Sequence, residues 1–275
     1  MNRIVAVALA AIVAVSCAPA PMKLPKLPSG PGQPASDVRD ALAEATSLCR
    51  AVTSYSAEVA LNGSVGGRRV RGRLLAGLAA PSSARIEAVA PFGPPLFIFV
   101  AGADDATLLL PRDERVLEHG PPEAVLQAIA GVPLDAAALR TTMTACAVAP
   151  DAESGRRIGE DWRVVRDGPS EIYLHRETSA GRWQIVAAVH HSLRRSPPGG
   201  DPDWRAEYRD FRDGLPRTIR LMSGDGKQFD LRLSLSQVEI NAPLNADVFQ
   251  VQIPRSAKPI TLDELRDARP GLRKN

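Results

Sequence analysis

Three cysteines, four histidines and a short row of arginines are the side chains of this chain with reactive or ligating potential. A cysteine thiol can be acylated, oxidised to a disulfide or used as a nucleophile. Cys17 closes an apolar run, whereas Cys49 and Cys146 lie far from it and from each other. His190 and His191 are adjacent in a stretch of alternating residues, so a strand would send them to opposite faces and they would not chelate one ion together. His119 and His175 stand in isolated contexts, where a solvated or internally satisfied imidazole is expected. Arg69, Arg71 and Arg73 alternate along one strand face, either as a solvated face or as a clamp for phosphate. Asp104-Asp105 marks a turn between strands. The chain has no G-x-S-x-G elbow, no H-E-x-x-H, no Walker A loop and no dinucleotide glycine fingerprint. No catalytic residue, metal site or cofactor is expected, and the chain is not expected to be an enzyme.

The remaining chemistry is at the start. Arg3 precedes Ile4 to Val15, an unbroken run of Ile, Val, Ala and Leu that is too short to span a bilayer comfortably. The run ends in Ala14-Val15-Ser16-Cys17, which resembles a bacterial lipobox. That resemblance implies removal of residues 1–16 as a lipoprotein signal peptide and acylation of the Cys17 thiol and amine. The alternative is ordinary secretion with a chance cysteine. Each buried acyl methylene contributes ~0.8 kcal/mol of membrane affinity, so several chains hold a protein almost permanently. Ala18, where Asp could stand, resembles the sorting choice of outer-membrane lipoproteins. It implies a lipid-anchored protein of the outer membrane, its domain facing the periplasm.

Residues 17–35 then carry Pro19, Pro21, Pro25, Pro28, Pro31 and Pro34 with Gly30 and Gly32, a composition that cannot form a core. As a polyproline tether at about 3.1 Å per residue, it would reach roughly 55 Å. Residues 36–275 suit one domain. Aromatic residues are only 4%, so its core must be aliphatic. A net charge of +3 without a dense basic run gives no reason to expect a nucleic-acid partner. In an oxidising envelope compartment Cys49 and Cys146 would form a bridge, a long closure that stabilises by about 4–5 kcal/mol in the chain-entropy model. Two free, buried thiols are the other reading.

The elements follow from periodicity. Ser36 or Asp37 caps a helix whose apolar stripe is Val38, Leu42, Ala45, Leu48/Cys49 and Val52. Alternating runs begin at Tyr55 and turn at Gly66-Gly67. Val70, Gly72, Leu74, Ala76 and Leu78 continue opposite the arginine row. Pro122 to Ile129 and Asp135 to Cys146 are two helices with apolar faces Val125/Ile129 and Leu139/Met143, interrupting the strands as a lid would. Strands resume at 161 and run to Phe229, Leu231, Leu233 and Leu235, the cleanest alternation in the chain. Thr261 and Glu264 form a capping box at a closing helix. The fold class is therefore α+β, an incomplete antiparallel β-barrel of about ten strands with a helical lid over an apolar cavity.

Between Arg85 and Gly102 lies a hairpin with an unusual tip, Pro91-Phe92-Gly93-Pro94-Pro95. The strand after it, Leu96 to Val100, is apolar on both faces. Phe92 either folds back on the sheet edge or protrudes to enter a lipid surface, where burying its ring contributes roughly 1.5–3 kcal/mol.

This order of elements resembles the LolA/LolB-type carriers of bacterial lipoproteins. The likeness rests on the first helix, the Pro91-Phe92-Gly93 tip, Ile129-Ala130-Gly131-Val132-Pro133-Leu134 in the lid, and the ending Phe249-Gln250-Val251-Gln252-Ile253-Pro254. A lipobox places the chain nearer the LolB side. The resemblance implies that acyl chains of lipoproteins or other lipids enter a cavity lined by Val70, Leu74, Ile86, Ile98, Val125, Ile129, Leu139, Met143, Leu231 and Leu233. It also implies that a soluble periplasmic carrier delivers them, that Phe92 leads membrane insertion, and that the protein works as a monomer. The competing class is an envelope lipoprotein that uses the half-barrel as a protein-binding platform, or a carrier of another glycolipid.

Overall fold

A computed structural model of the protein describes residues 26–146, 154–191 and 203–268. The expected signal segment 1–16, the lipidation site Cys17 and residues 18–25 of the tether lie outside the described residues. In chain order the elements are β1 (Gln33–Pro34), α1 (Val38–Thr46), β2 (Ser54–Val65), β3 (Arg68–Ala79), β4 (Ser83–Val89), β5 (Phe97–Ala101), β6 (Ala106–Leu110) and β7 (Arg115–Gly120). The helices α2 (Pro122–Ala130) and α3 (Ala136–Met143) follow. Then come β8 (Gly155–Ile158), β9 (Trp162–Asp167), β10 (Ser170–His175), β11 (Gln184–His190), β12 (Trp204–Arg209), β13 (Thr218–Ser223), β14 (Phe229–Ile240), β15 (Lys258–Pro259) and α4 (Leu262–Ala268).

All fifteen strands form one open, curved sheet in the order β1-β8-β9-β10-β11-β12-β13-β14-β2-β3-β4-β5-β6-β7-β15. It is two antiparallel meanders, β2 to β7 and β8 to β14, joined by the long pairing of β14 with β2. The chain leaves β7 near one edge and enters β8 near the other. The connection must therefore cross the sheet, and α2 and α3 cross it on the face carrying the core. That is why a pair of helices interrupts the strands.

The count of about ten strands is corrected to fifteen among the described residues. The additions are short and polar. β1 and β15 are two residues each, and β8 carries Arg156 and Arg157 in a stretch that had no apolar alternation to betray it. β1 also brings the end of the expected tether into the sheet, because Gln33 and Pro34 pair with Arg157 and Arg156. Leu27 packs on the outer cluster of Val164, Tyr173, Val186 and Ala187.

Alternation sets the faces. Val59 and Leu61, Leu74 and Ala76, Ile86, Phe99, Leu231 and Leu233 point to the helix-covered side, and Arg69, Arg71 and Arg73 to the other. Over β9 to β11, α1 covers the sheet with Val38, Ala41 and Leu42. Asp37 stands at the N-cap position of α1, but its side chain caps nothing. Its carboxylate instead accepts from Arg163 Nε and Nη2 at 2.8 and 2.7 Å, a charge-assisted fork that outcompetes a single amide. Asp135 does cap α3, accepting from Ala138 N at 2.7 Å, and the Thr261–Glu264 capping box forms at α4. Cys49 and Cys146 are joined with Cα atoms 5.7 Å apart, tying the chain before β2 to the end of α3 across 97 residues.

Candidate functional site: an apolar cavity beneath a helical lid

The inward alternates of six strands enclose an apolar cavity of about 100 Å³. Its walls are Val59 and Leu61 of β2, Leu74 and Ala76 of β3, Ile86 of β4, Phe97 before the core residue Phe99, Leu221 of β13, and Leu231 and Leu233 of β14. Its roof is Leu126, Ile129 and Ala130 of α2, Val132 and Leu134 of the connection, and Leu139 and Met143 of α3. No titratable side chain lines it. Gly131 ends α2 in the left-handed conformation (φ 75°), which turns Val132 and Leu134 down into the roof.

Seven of the ten expected lining residues meet here: Leu74, Ile86, Ile129, Leu139, Met143, Leu231 and Leu233. Three do not line it. Ile98 is on the opposite face of β5, paired with Glu87, because register puts Phe97 and Phe99 inward. Both faces of that strand are apolar in sequence, so alternation alone does not choose between them. Val125 is fully buried, but toward the β7–α2 corner, where a Cβ on Gly120 would meet its Cγ2 at 2.7 Å. Val70 is on the correct face, nearer the open end, and half-buried. The missed roof residues Val132 and Leu134 follow a glycine and flank Pro133, a context with turn rather than core character.

As closed, the cavity is several-fold smaller than the roughly 300–1,000 Å³ typical of small-molecule sites. An acyl chain could enter only if the α2–α3 segment moved. Two attachments hold that segment: the Cys49–Cys146 bridge at its end, and α4, whose wholly buried Leu265 belongs to the core while its helix packs on α2.

Beside the cavity, and sharing Ile129 with it, is a wider recess of about 410 Å³ bounded by Val65, Gly66, Gln127, Ala128, Gly131, Gln228 and Arg266. It lies at the rim formed by the β2–β3 and β13–β14 turns. On the inner face of the same rim, a Cβ on Gly72 would meet nothing within 4 Å. The recess therefore adjoins the apolar cavity at this end.

The β4–β5 hairpin tip is on this rim as well, since β4 runs toward it antiparallel to β3. Phe92 is 88% exposed. It protrudes and does not fold back on the sheet edge. Arg112, in the β6–β7 turn, donates to the Phe92 and Pro94 carbonyls and buttresses the tip.

The histidines diverge as alternation requires. His190 Nδ1 lies 2.8 Å from Ser170 Oγ and its ring stacks on Trp204, whereas His191 faces Asp203. Burial pushes the His190 imidazole down to about 4. Among the described residues no three His, Cys, Asp or Glu side chains come together as a metal site, and no helix is long and apolar enough to cross a membrane.

No family model matches the chain, and neither does any curated protein. Solved structures do. A LolA superfamily protein from Nitrosomonas europaea is 12% identical and aligns over 78% of this chain and 97% of its own, with a TM-score of 0.53. A putative outer membrane lipoprotein-sorting protein domain from Vibrio parahaemolyticus is 12% identical over 77% and 97%, with a TM-score of 0.45. The Mycobacterium tuberculosis lipoprotein LppX is 13% identical over 76% and 98%, with a TM-score of 0.32. The first of these shows a LolA-like fold. The other two score too low to add to that.

Proposed function

We propose that this LolA-like fold serves lipid handling: the protein receives the acyl chains of lipoproteins in its apolar cavity and inserts them into the outer membrane, held there by lipid on Cys17. The observation that carries this reading is the wholly apolar cavity beneath the α2–α3 lid, beside the rim that bears the exposed Phe92. Chains would enter as α2 and α3 lift, with Leu139 and Met143 moving away from Leu231 and Leu233. An aliphatic lining without polar hooks suits release as well as uptake, because apolar contact is non-directional. No step requires a catalytic group. Phe92 would then enter the bilayer, its ring contributing roughly 1.5–3 kcal/mol.

One observation favours a second reading, that the half-barrel is a protein-binding platform: the closed cavity is small enough to count as a nearly filled core. The two separate in a transfer assay, with a labelled lipoprotein moving from a soluble carrier to liposomes. Phe92→Glu should load normally and fail to deliver, since a carboxylate is costly to place in hydrocarbon. Delivery at the wild-type rate would remove the insertion step. Failure of the wild-type protein to load any acyl chain, lipoprotein or glycolipid, would favour the platform.

A further inference from the structure

Arg68, Arg69, Arg71 and Arg73 are exposed on the β2–β3 hairpin. The last three lie on the outer face of β3, about 6.6 Å apart along the strand. Their partners in register on β2 are Ser64, Asn62 and Ala60, none of them acidic. On the other side, β4 ends at Val89 opposite Arg73, leaving Arg71 and Arg69 without a strand neighbour there. None of the four arginines forms an ion pair with a described residue. Several other arginines of the sheet are paired, Arg85 with Glu87, Arg156 with Glu171, Arg163 with Asp37 and Arg220 with Asp230. Arg232 of β14, in register with Asn62, instead adds a further unpaired cation beside the row. An unpaired row of like charge repels itself, and an external anion relieves that repulsion.

The row sits beside the protruding phenylalanine. Extending the Arg73–Val89 register brings the Phe92 tip level with Val70 and Arg71. The rim also carries acids. In strand order Asp113 and Glu114 of the β6–β7 turn lie on the other side of the Phe92 tip from the row. Asp225 accepts from Ser223 Oγ and Lys227 N, and Asp230, in register with Ser64, is held by Arg220. A cationic row flanking an exposed aromatic ring matches, in charge and polarity, an interface of phosphates over hydrocarbon. We propose that this rim is a docking surface for an anionic phospholipid bilayer, with Arg68, Arg69, Arg71 and Arg73 meeting lipid phosphates while Phe92 enters the acyl region. It takes Phe92 insertion from the reading above but does not require that the cavity carry cargo.

The test uses the mature chain with Cys17→Ser, so that no acyl anchor masks the interaction. Sedimentation is measured with phosphatidylcholine vesicles, with and without phosphatidylglycerol. Each arginine near an anionic surface contributes roughly fivefold in affinity. The triple variant Arg69→Gln, Arg71→Gln, Arg73→Gln should therefore lose on the order of a hundredfold on anionic vesicles and nothing on neutral ones. Its salt dependence should flatten. Phe92→Ser should weaken binding to both vesicle types. All four positions are exposed, and circular dichroism checks that the variants fold. Loading of an acyl probe into the triple variant is measured in parallel and should match wild type, so a failure of carriage is distinguishable from a failure of docking. Equal wild-type binding to both vesicle types, or a triple variant that keeps its preference for anionic ones, would overturn the proposal.

Discussion

Arg112 holds Phe92 by its backbone: the guanidinium donates to the Phe92 carbonyl and, through Nε at 3.2 Å, to that of Pro94. The side chain of Phe92 is thereby left free while its main chain is fixed, as an insertion element requires. Arg112→Ala should leave global stability nearly unchanged, because the site is exposed. Amide exchange at Leu96, whose N–H closes the hairpin on the Ala88 carbonyl at 2.9 Å, should quicken about tenfold, a local loss of about 1.4 kcal/mol. Unchanged exchange would mean that the prolines alone set the tip.

The Asp37–Arg163 pair should respond asymmetrically to substitution. The Arg163 side chain is 5% exposed and stacks over Trp183 at 4.8 Å, whereas Asp37 is 49% exposed. Asp37→Ala strands a buried cation and should cost about 2–3 kcal/mol, while Arg163→Met returns a carboxylate to water and should cost less. Denaturant titrations of the two variants check the order. The reverse order would place the energy in the arginine's packing instead.

The bridge between Cys49 and Cys146 closes 97 residues. Replacing both by serine should lower stability by about 4–5 kcal/mol in the chain-entropy model. It should also speed acyl loading, because the end of α3 is released. Thiol counting on denatured, unreduced protein should find neither cysteine free, and two reactive thiols from this pair would contradict the bridge.

His190 gives the fold an acid limit. Its imidazole is held neutral by burial down to about 4, whereas an unfolded histidine protonates near 6.5. The unfolded chain therefore binds the extra proton first, and stability falls as pH drops from about 6.5 to about 4, by roughly 3 kcal/mol at most. Below that window the His190 contribution is constant. Asp37, held below the usual carboxylate range by its hydrogen bonds to Arg163, adds stability that is lost at lower pH still, as its folded-state carboxyl protonates. His190→Gln should flatten the upper window only, as read by thermal unfolding at several pH values.

Much of this architecture is legible in residue order. The period of two in Phe229, Leu231, Leu233 and Leu235 marks both a strand and its inner face, and Asp135 and Thr261 mark helix starts that form as expected. Legibility ends where local pattern is ambiguous or absent. Leu96 to Val100 is apolar on both faces, so only the pairing of Ile98 with Glu87 shows that Phe97 faces the cavity. β8 offers two arginines and no alternation, and its place beside β1 depends on long-range pairing. Asp37 has the chemistry of a cap, and only the tertiary arrival of Arg163 redirects it. The size of the cavity has no local signature, because it depends on how closely α2 and α3 settle onto the sheet.

Whether acyl chains lodge beneath α2 and α3 is tested most directly by binding of a pyrene-labelled diacyl lipopeptide to the mature protein, with Leu139→Glu as the comparison. Leu139 is a half-buried roof residue, so a carboxylate there is compatible with folding but places charge at the cavity wall. Stoichiometric wild-type binding in an apolar environment, lost in the folded Leu139→Glu variant, is the result predicted. A wild-type protein that does not bind the probe, or a Leu139→Glu variant that binds it equally well, would contradict the claim that acyl chains lodge beneath the lid.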